Sequence, residues 1–280
     1  MFSISFFIEI IKIIILGIVE GITEWLPISS TGHMILIENF IKLNQSEAFR
    51  NTFLIIVQLG AILAVLTLYF NKLNPYDFKT KQFKQPILKL WSKVLVASIP
   101  AGIVGLAFDE LIDSYLFSPI VVSIMLVVYG LAFIVIERRK KPALIHDFDQ
   151  LSYKQALQIG MFQMLAMIPG TSRSGATILG GLLMKIKRSV IAEFSFFMAI
   201  PVMFGASLLK LIKVGLYFDA SEWALLIIGT VTAYIVSFFS IKFFIGYIKK
   251  HDFRIFGLYR IVLGLVVLLW FALTLGQLQQ

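Results

Sequence analysis

The sequence has no cysteine, which excludes disulfides and thiolate-ligated metal centres. Charge is also scarce. Asp, Glu, Lys and Arg together make up 15% of the 280 residues, where a soluble domain has about a quarter. The G-x-x-x-x-G-K-[ST] pattern of a nucleotide-binding loop is absent. The N-terminal stretch M-F-S-I-S-F-F-I-E has neither a basic n-region nor a small-residue cleavage site, so it is expected to be mature protein and not a signal peptide. What the chain has in abundance is apolar sequence: 59% of residues are hydrophobic and the mean hydropathy is +0.89. The apolar residues fall in blocks of membrane-spanning length, which predicts an all-α polytopic membrane protein. Its length suits a single membrane domain, 1–280. The formal net charge of +9 then reads as basic cytoplasmic loops, and no nucleic-acid partner is expected.

Spans of sufficient length are predicted at roughly 52–70, 94–110, 119–136, 193–213, 223–245 and 256–275. Two further apolar regions, about 6–41 and 155–184, are interrupted by L-P-I-S-S-T-G-H and I-P-G-T-S-R-S-G. Proline lacks a backbone donor and disfavours helix before it. Each region is therefore expected to form two short helical arms around a broken centre, with Pro27 and Gly32 breaking the first.

Loop charge gives the topology. Residues 71–93 carry six lysines, and 137–141, 185–188 and 249–254 read E-R-R-K-K, K-I-K-R and K-K-H-D-F-R. These four are assigned to the cytoplasm. The loops with Asp109, Glu110 and Asp113, and with Asp219 and Glu222, are assigned outside. Counting crossings then makes each interrupted region a re-entrant hairpin followed by three spans. The first unit, about 1–137, enters from outside, and the second, about 153–276, from the cytoplasm. Such an inverted-topology repeat with broken helices places a binding site near the bilayer midplane, where the two centres meet.

Both interruptions are rich in chemistry. Glu20 and Glu24, four residues apart, share one helix face. Two carboxylates in apolar surroundings repel unless something positive joins them: a divalent cation, Arg173 or a proton. The hydroxyls of Ser29, Ser30 and Thr31, with freed backbone N–H groups at the start of the next arm, form an anion cradle. His33 follows as a candidate general acid, nucleophile or phosphate ligand. The second cradle is P-G-T-S-R-S-G-A-T. Gly170 and Gly175 allow close backbone approach, and Thr171, Ser172, Ser174 and Thr177 offer hydroxyls. Arg173 supplies a fork suited to phosphate oxygens.

E-G-I-T-E-W-L-P-I-S-S-T-G-H and P-G-T-S-R-S-G-A-T, in this order and about 140 residues apart, resemble the undecaprenyl-pyrophosphate phosphatase family of the bacitracin-resistance type. The resemblance covers essentially the whole chain. It implies hydrolysis of undecaprenyl pyrophosphate to undecaprenyl phosphate and phosphate in the bacterial cytoplasmic (inner) membrane, recycling the lipid carrier of peptidoglycan synthesis. It also implies dependence on a divalent cation, Mg2+ or Ca2+, for which Glu20 and Glu24 are the candidate ligands. The family's acidic pair falls on Glu20 and Glu24, its S-S-T-G-H segment on Ser29 to His33, and its arginine loop on Ser172, Arg173, Ser174 and Thr177. Trp25 stands where the family often has Phe, a change not expected to touch the chemistry.

Candidate nucleophiles are Ser30, His33 and water. The working expectation is Ser30, or a water activated by Glu24, with His33 assisting proton transfer and Glu20 on the metal. The expected site opens to the outer face. The alternative is a transporter that flips polyprenyl phosphate or another anion, since paired re-entrant hairpins are a transporter device. Membrane lipid is an expected partner, and a homodimer is left open.

Overall fold

The computed structural model describes residues 4–116, 118–139, 141–214 and 218–277. The chain is almost entirely helical. Helices α1 (Ile4–Thr23) and α2 (Ser30–Phe40) precede three long ones, α3 (Glu47–Leu68), α5 (Gln85–Leu116) and α6 (Pro119–Arg138). A one-turn helix α4 (Phe70–Leu73) and a two-stranded hairpin of β1 (Tyr76–Asp77) and β2 (Gln82–Phe83) lie between α3 and α5. The order then repeats. A pair, α7 (Tyr153–Met164) and α8 (Arg173–Leu183), precedes α9 (Arg188–Val214), α10 (Ala220–Ile248) and α11 (Arg254–Gln277). Among the described residues, six helices are long and apolar enough to cross a membrane: α3, α5, α6, α9, α10 and α11. These are the six predicted spans, five of them lengthened and the first shifted to start at Glu47 and end at Leu68. The protein is an all-α polytopic membrane protein. Lys140 lies outside the described residues, as do the side chains of Asp109, Glu110 and Asp113.

Two expectations need correction. The first arm is not short: α1 has 20 residues. It falls outside the six because it carries Glu9, Lys12 and Glu20 among its apolar residues. Gly32 does not break the chain either. It lies in the first turn of α2 and donates its N–H to Ser29 Oγ at 3.3 Å. The break comes earlier, across 24–28, around Pro27.

Polar contacts fix where each short pair begins and ends. At the first pair, Lys12 Nζ donates to the Lys42 carbonyl at 2.7 Å and Asn44 N–H to Glu9 Oε2 at 3.0 Å. Both ends of α1–α2 therefore lie together. At the second pair, Leu144 N–H donates to the Lys185 carbonyl at 2.8 Å and Lys187 N–H to the Ile145 carbonyl at 2.9 Å. Helix α3, about 33 Å long for its 22 residues, separates these two places. Its first turns pack Phe49 and Phe53 with Ile13 and Leu43. Its far end leads to Lys72, which pairs with Glu193 at 2.6 Å. The two hairpins thus enter the bundle from opposite ends.

Helix α1 lies along α10, and α7 lies along α5. Helix α6 packs on α11. There the backbones approach so closely that a Cβ on Gly130 would meet the Gly257 carbonyl oxygen at 2.6 Å, and one on Gly257 would meet the Gly130 oxygen at 2.7 Å. Lipid tails are as apolar as leucine, so close backbone packing holds such helices together. Outside the apolar zone, Asp219 caps α10 by accepting from the amides of Ser221 and Glu222 at 2.7 and 2.8 Å. With the Ser221 hydroxyl, these contacts hold its carboxyl below the ordinary carboxylate range. The cap therefore persists at neutral pH and is lost only as pH falls through that lowered value.

The α6–α11 contact gives a stability test. Gly130→Leu is expected to lower stability by about 1–3 kcal/mol through overpacking, read by thermal unfolding in detergent. Gly246→Ala, where a Cβ meets nothing within 4 Å, is the expected neutral control.

Candidate functional site

The two interruptions meet in the bundle. Ser237 donates to the carbonyl of Gly21 at 3.3 Å. It lies well inside the 29-residue α10, so the end of α1 stands deep between the two faces. Here the chain turns at Pro27 and restarts as α2 with Ser29 as its N-cap (φ 73°). The second interruption is built alike. A 3-10 turn at Leu165–Met167 ends α7, and α8 restarts with Ser172 as N-cap (φ 70°). Ser172 Oγ accepts the Gly175 N–H at 3.2 Å, as Ser29 accepts that of Gly32. Positive φ strains a non-glycine residue by about 1–3 kcal/mol. Serine is used at both places because glycine, which would relieve the strain, has no hydroxyl to cap with.

The central contact crosses from one interruption to the other. Glu24 Oε1 accepts from Arg173 Nη2 at 3.0 Å, and Glu24 Oε2 accepts from the Ser30 hydroxyl at 2.9 Å. One carboxylate is thus shared between a candidate nucleophile and the site's arginine. Arg173 also donates from Nη1 to the Ser195 carbonyl at 2.7 Å. Its guanidinium lies 5.9 Å from the ring centre of Trp25, which stands edge-on to Phe196 at 5.1 Å. Trp25 thus lies beside Arg173 and is buried against Phe196.

His33 is held at both ring nitrogens. Nδ1 lies 2.7 Å from the Ser29 carbonyl, and since a carbonyl only accepts, Nδ1 carries the hydrogen. Nε2 lies 2.6 Å from the Tyr259 hydroxyl, with the two rings stacked at 5.6 Å. Glu20 is 2% exposed, and its Oε1 has no hydrogen-bond partner.

The structure does not bring every predicted hydroxyl to the open side. Ser30, Thr31, His33, Ser172 and Arg173 are half-buried, while Ser29, Thr171, Ser174 and Thr177 are buried. Ser174 donates to the Leu26 carbonyl at 3.2 Å, stitching the interruptions together. Thr177 is bound to the Arg173 and Ser174 carbonyls at 3.0 and 3.1 Å and to the Ser195 hydroxyl at 2.6 Å. Gly170 has φ 89°, and a Cβ there would stand 2.4 Å from the Val122 carbonyl oxygen. It lets the second interruption lie against α6.

A model of the family described as "Bacitracin resistance protein BacA" matches residues 13–266. The chain belongs to the BacA family. It is 56% identical to undecaprenyl-diphosphatase 1 of Clostridioides difficile (strain 630), over 95% of this chain and 97% of that protein. It is 55% identical to the undecaprenyl-diphosphatase of Enterococcus faecalis, over 94% and 97% of the two chains. With the undecaprenyl-diphosphatase of Acetivibrio thermocellus the identity is 55%, over 94% and 98%.

Sequence reasoning missed two residues of this BacA-family site, Tyr259 and Arg260, and a buried polar residue of α7. Tyr259 bonds His33, as described. Gln163, in the last turns of α7, is 2% exposed with neither amide atom paired. Arg260 is fully buried. Its guanidinium donates to the carbonyls of Pro27 (3.1 Å), Met125 (3.4 Å), Gly170 (2.8 Å) and Thr171 (3.0 Å). Among the described residues it has no carboxylate partner. The available signal was a charge within a predicted apolar span, which by default marks function.

Arg260 yields the second test. Lys has a single ammonium where Arg has a planar fork, so Arg260→Lys leaves carbonyls of both interruptions without a donor. Stability is expected to fall on the order of 3 kcal/mol, measured by unfolding in detergent. A neutral outcome would mean that the two interruptions hold together without it.

Proposed function

We propose that this protein hydrolyses undecaprenyl diphosphate to undecaprenyl phosphate and inorganic phosphate, the step that returns the lipid carrier to peptidoglycan synthesis and underlies bacitracin resistance. The carrying observation is the Glu24 carboxylate bonded at once to Ser30 and Arg173. Chemistry at phosphorus needs a nucleophile with a base within hydrogen-bond reach and positive charge beside the transferring group. All three are present, with N–H groups of two helix starts around them.

In this reading Ser30 Oγ attacks the terminal phosphorus while Glu24 takes its proton. The P–O bond to the bridging oxygen breaks, and undecaprenyl phosphate leaves with that electron pair. Water then attacks the phosphoserine, the P–Oγ bond breaks, Glu24 returns its proton to Ser30 Oγ, and the protons of the water leave with the released phosphate. Ser30 is preferred to His33 because both imidazole nitrogens are already engaged, by Ser29 and Tyr259. The imidazole shapes the wall and, at Nε2, can exchange a proton with Tyr259. Arg173 steadies charge on the non-bridging oxygens. It reaches them by sharing Glu24, from the firm seat formed by Trp25 and the Ser195 carbonyl.

Glu20 and Glu24 fit a divalent cation. The unpartnered, buried Glu20 Oε1 is a hard oxygen donor of the kind Mg2+ and Ca2+ take. Among the described residues no third His, Asp or Glu completes a metal cluster, so the remaining ligands would be diphosphate oxygens and water. Bound there, the cation would neutralise charge on the diphosphate and between the two glutamates.

The two units read as an inverted-topology repeat, supported by hairpins that enter from opposite ends and by their matched serine caps. The basic loops lie at the end that holds Lys72, Lys185 and Arg188, which supports a cytoplasmic assignment for that end. The hairpin carrying Glu20 to His33 then opens to the outer face of the cytoplasmic membrane, and hydrolysis takes place there. Transport of the lipid without hydrolysis has no need for a serine bonded to a carboxylate.

Phosphate release from detergent-solubilised protein is the decisive assay, because a transporter gives none. Ser30→Ala and Glu24→Gln are each expected to lower kcat by about 10²–10⁴-fold with the fold intact, and a chelator to lower it reversibly. Rapid quench should trap phosphate on Ser30, and near-normal turnover by Ser30→Ala would sink the covalent route. For orientation, the absence of cysteine makes Asn44→Cys a clean single label. It is expected to react with an impermeant reagent from outside the cell, and reaction from the cytoplasm alone would reverse the topology.

A further inference from the structure

At the end of the bundle away from the first hairpin, a cavity of about 490 Å³ opens among the ends of α6, α8 and α10 and the start of α9. Six basic residues line it: Arg139, Lys141, Lys185, Lys187, Arg188 and Lys249. The lining holds one acidic residue, Glu137, and that carboxylate is already committed. Arg188 grips it from Nε and Nη2, and the Phe253 N–H donates to it at 3.2 Å. Among the described residues the other five cations have no carboxylate partner. Like charges gathered around a concavity repel one another, and an anion bound there relieves that repulsion.

The walls are built, not incidental. Lys185 adopts φ 60°, a conformation uncommon for a residue with a side chain. The segment is locked there by the paired strand-like contact of Ile145 with Ile186, which fixes 144–145 against 185–187. This arrangement aims Lys141, Lys185 and Lys187 around one opening. Leu182 and Leu183 also line the cavity, and Leu183 is 44% exposed, so an apolar margin adjoins the charge. The cavity is separate from the phosphatase site. Arg173 begins α8 and Lys185 follows its end, about 16 Å away along the 11-residue helix.

We propose that this cavity is a binding site for a phosphate-bearing anion, either the headgroup of an anionic phospholipid or free inorganic phosphate. Clustered lysines and arginines at a helix-bundle edge suit phosphate oxygens, and the apolar margin suits the first acyl carbons of a lipid. The site does not depend on the hydrolytic reading, because its ligand is held and not cleaved.

The test is equilibrium binding to the full chain in detergent, with phosphatidylglycerol and inorganic phosphate as separate probes and phosphatidylcholine as the uncharged reference. The cavity variant is Lys141→Gln/Lys187→Gln/Lys249→Gln. The control is Lys79→Gln/Lys81→Gln/Lys84→Gln, which removes equal charge from exposed positions on and beside the β1–β2 hairpin. Each basic residue near an anionic headgroup contributes about fivefold in affinity. The cavity variant should therefore lose about a hundredfold and the control no more than about twofold. Loss confined to phosphatidylglycerol identifies a lipid headgroup, and loss confined to inorganic phosphate identifies the free anion. Equal weakening in both variants, unchanged binding in the cavity variant, or no binding of either probe by the unaltered protein overturns the proposal. Should the triple variant not fold, Lys249→Gln alone, exposed at the end of α10, is expected to show about a fivefold loss, and its absence overturns the proposal equally.

Discussion

A broken helix inside a bilayer leaves backbone carbonyls and N–H groups with no water to satisfy them, and each such group costs several kcal/mol. Two breaks meeting at one depth double the difficulty. Arg260 resolves it from a third direction. Its fork donates to Pro27 of the first break and to Gly170 and Thr171 of the second. A charge with no carboxylate partner is stabilised by converging carbonyl dipoles, and in return it fixes the two interruptions relative to each other. The distance from Ser30 to Glu24, and from Glu24 to Arg173, depends on that fixation.

The same constraint explains the division of labour among the hydroxyls. Serine and threonine are abundant in both interruptions, yet only some face the open side. Ser29 and Ser172 cap helices from strained backbone. Ser174 ties the second break to the carbonyl of Leu26, and Thr177 ties α8 to Ser195 of α9. The remainder, Ser30 and Thr31 with His33 and Arg173, can meet a substrate because their neighbours have satisfied the backbone. Orphaned buried atoms on Glu20, Thr171, Arg173 and Arg260 collect at this one place, as expected where a polar ligand completes the hydrogen bonding.

Around the site, each short helix pair leans on long helices from both ends of the chain. Helix α1 leans on α10 and α7 on α5. Each break is thereby carried into the bundle along a long helix, and Gly130 and Gly257 let α6 and α11 pack closely.

Much of this was written in the chain itself. Six apolar blocks of sufficient length read as membrane spans, and six helices of that kind are present among the described residues. Pro27 and Pro169-Gly170 disfavour continuous helix, so the breaks and the hydroxyl, carboxylate and arginine residues around them were legible from local rules. What the tertiary structure decided is who pairs with whom. Nothing local tells that Glu24 is shared by Ser30 and Arg173, that Trp25 lies beneath Arg173, or that Tyr259 and Arg260 reach the site from a helix more than 220 residues later in the chain. Those contacts join segments distant in sequence. They are set by helix packing in three dimensions, where a buried charge takes whichever carbonyls the fold brings within reach.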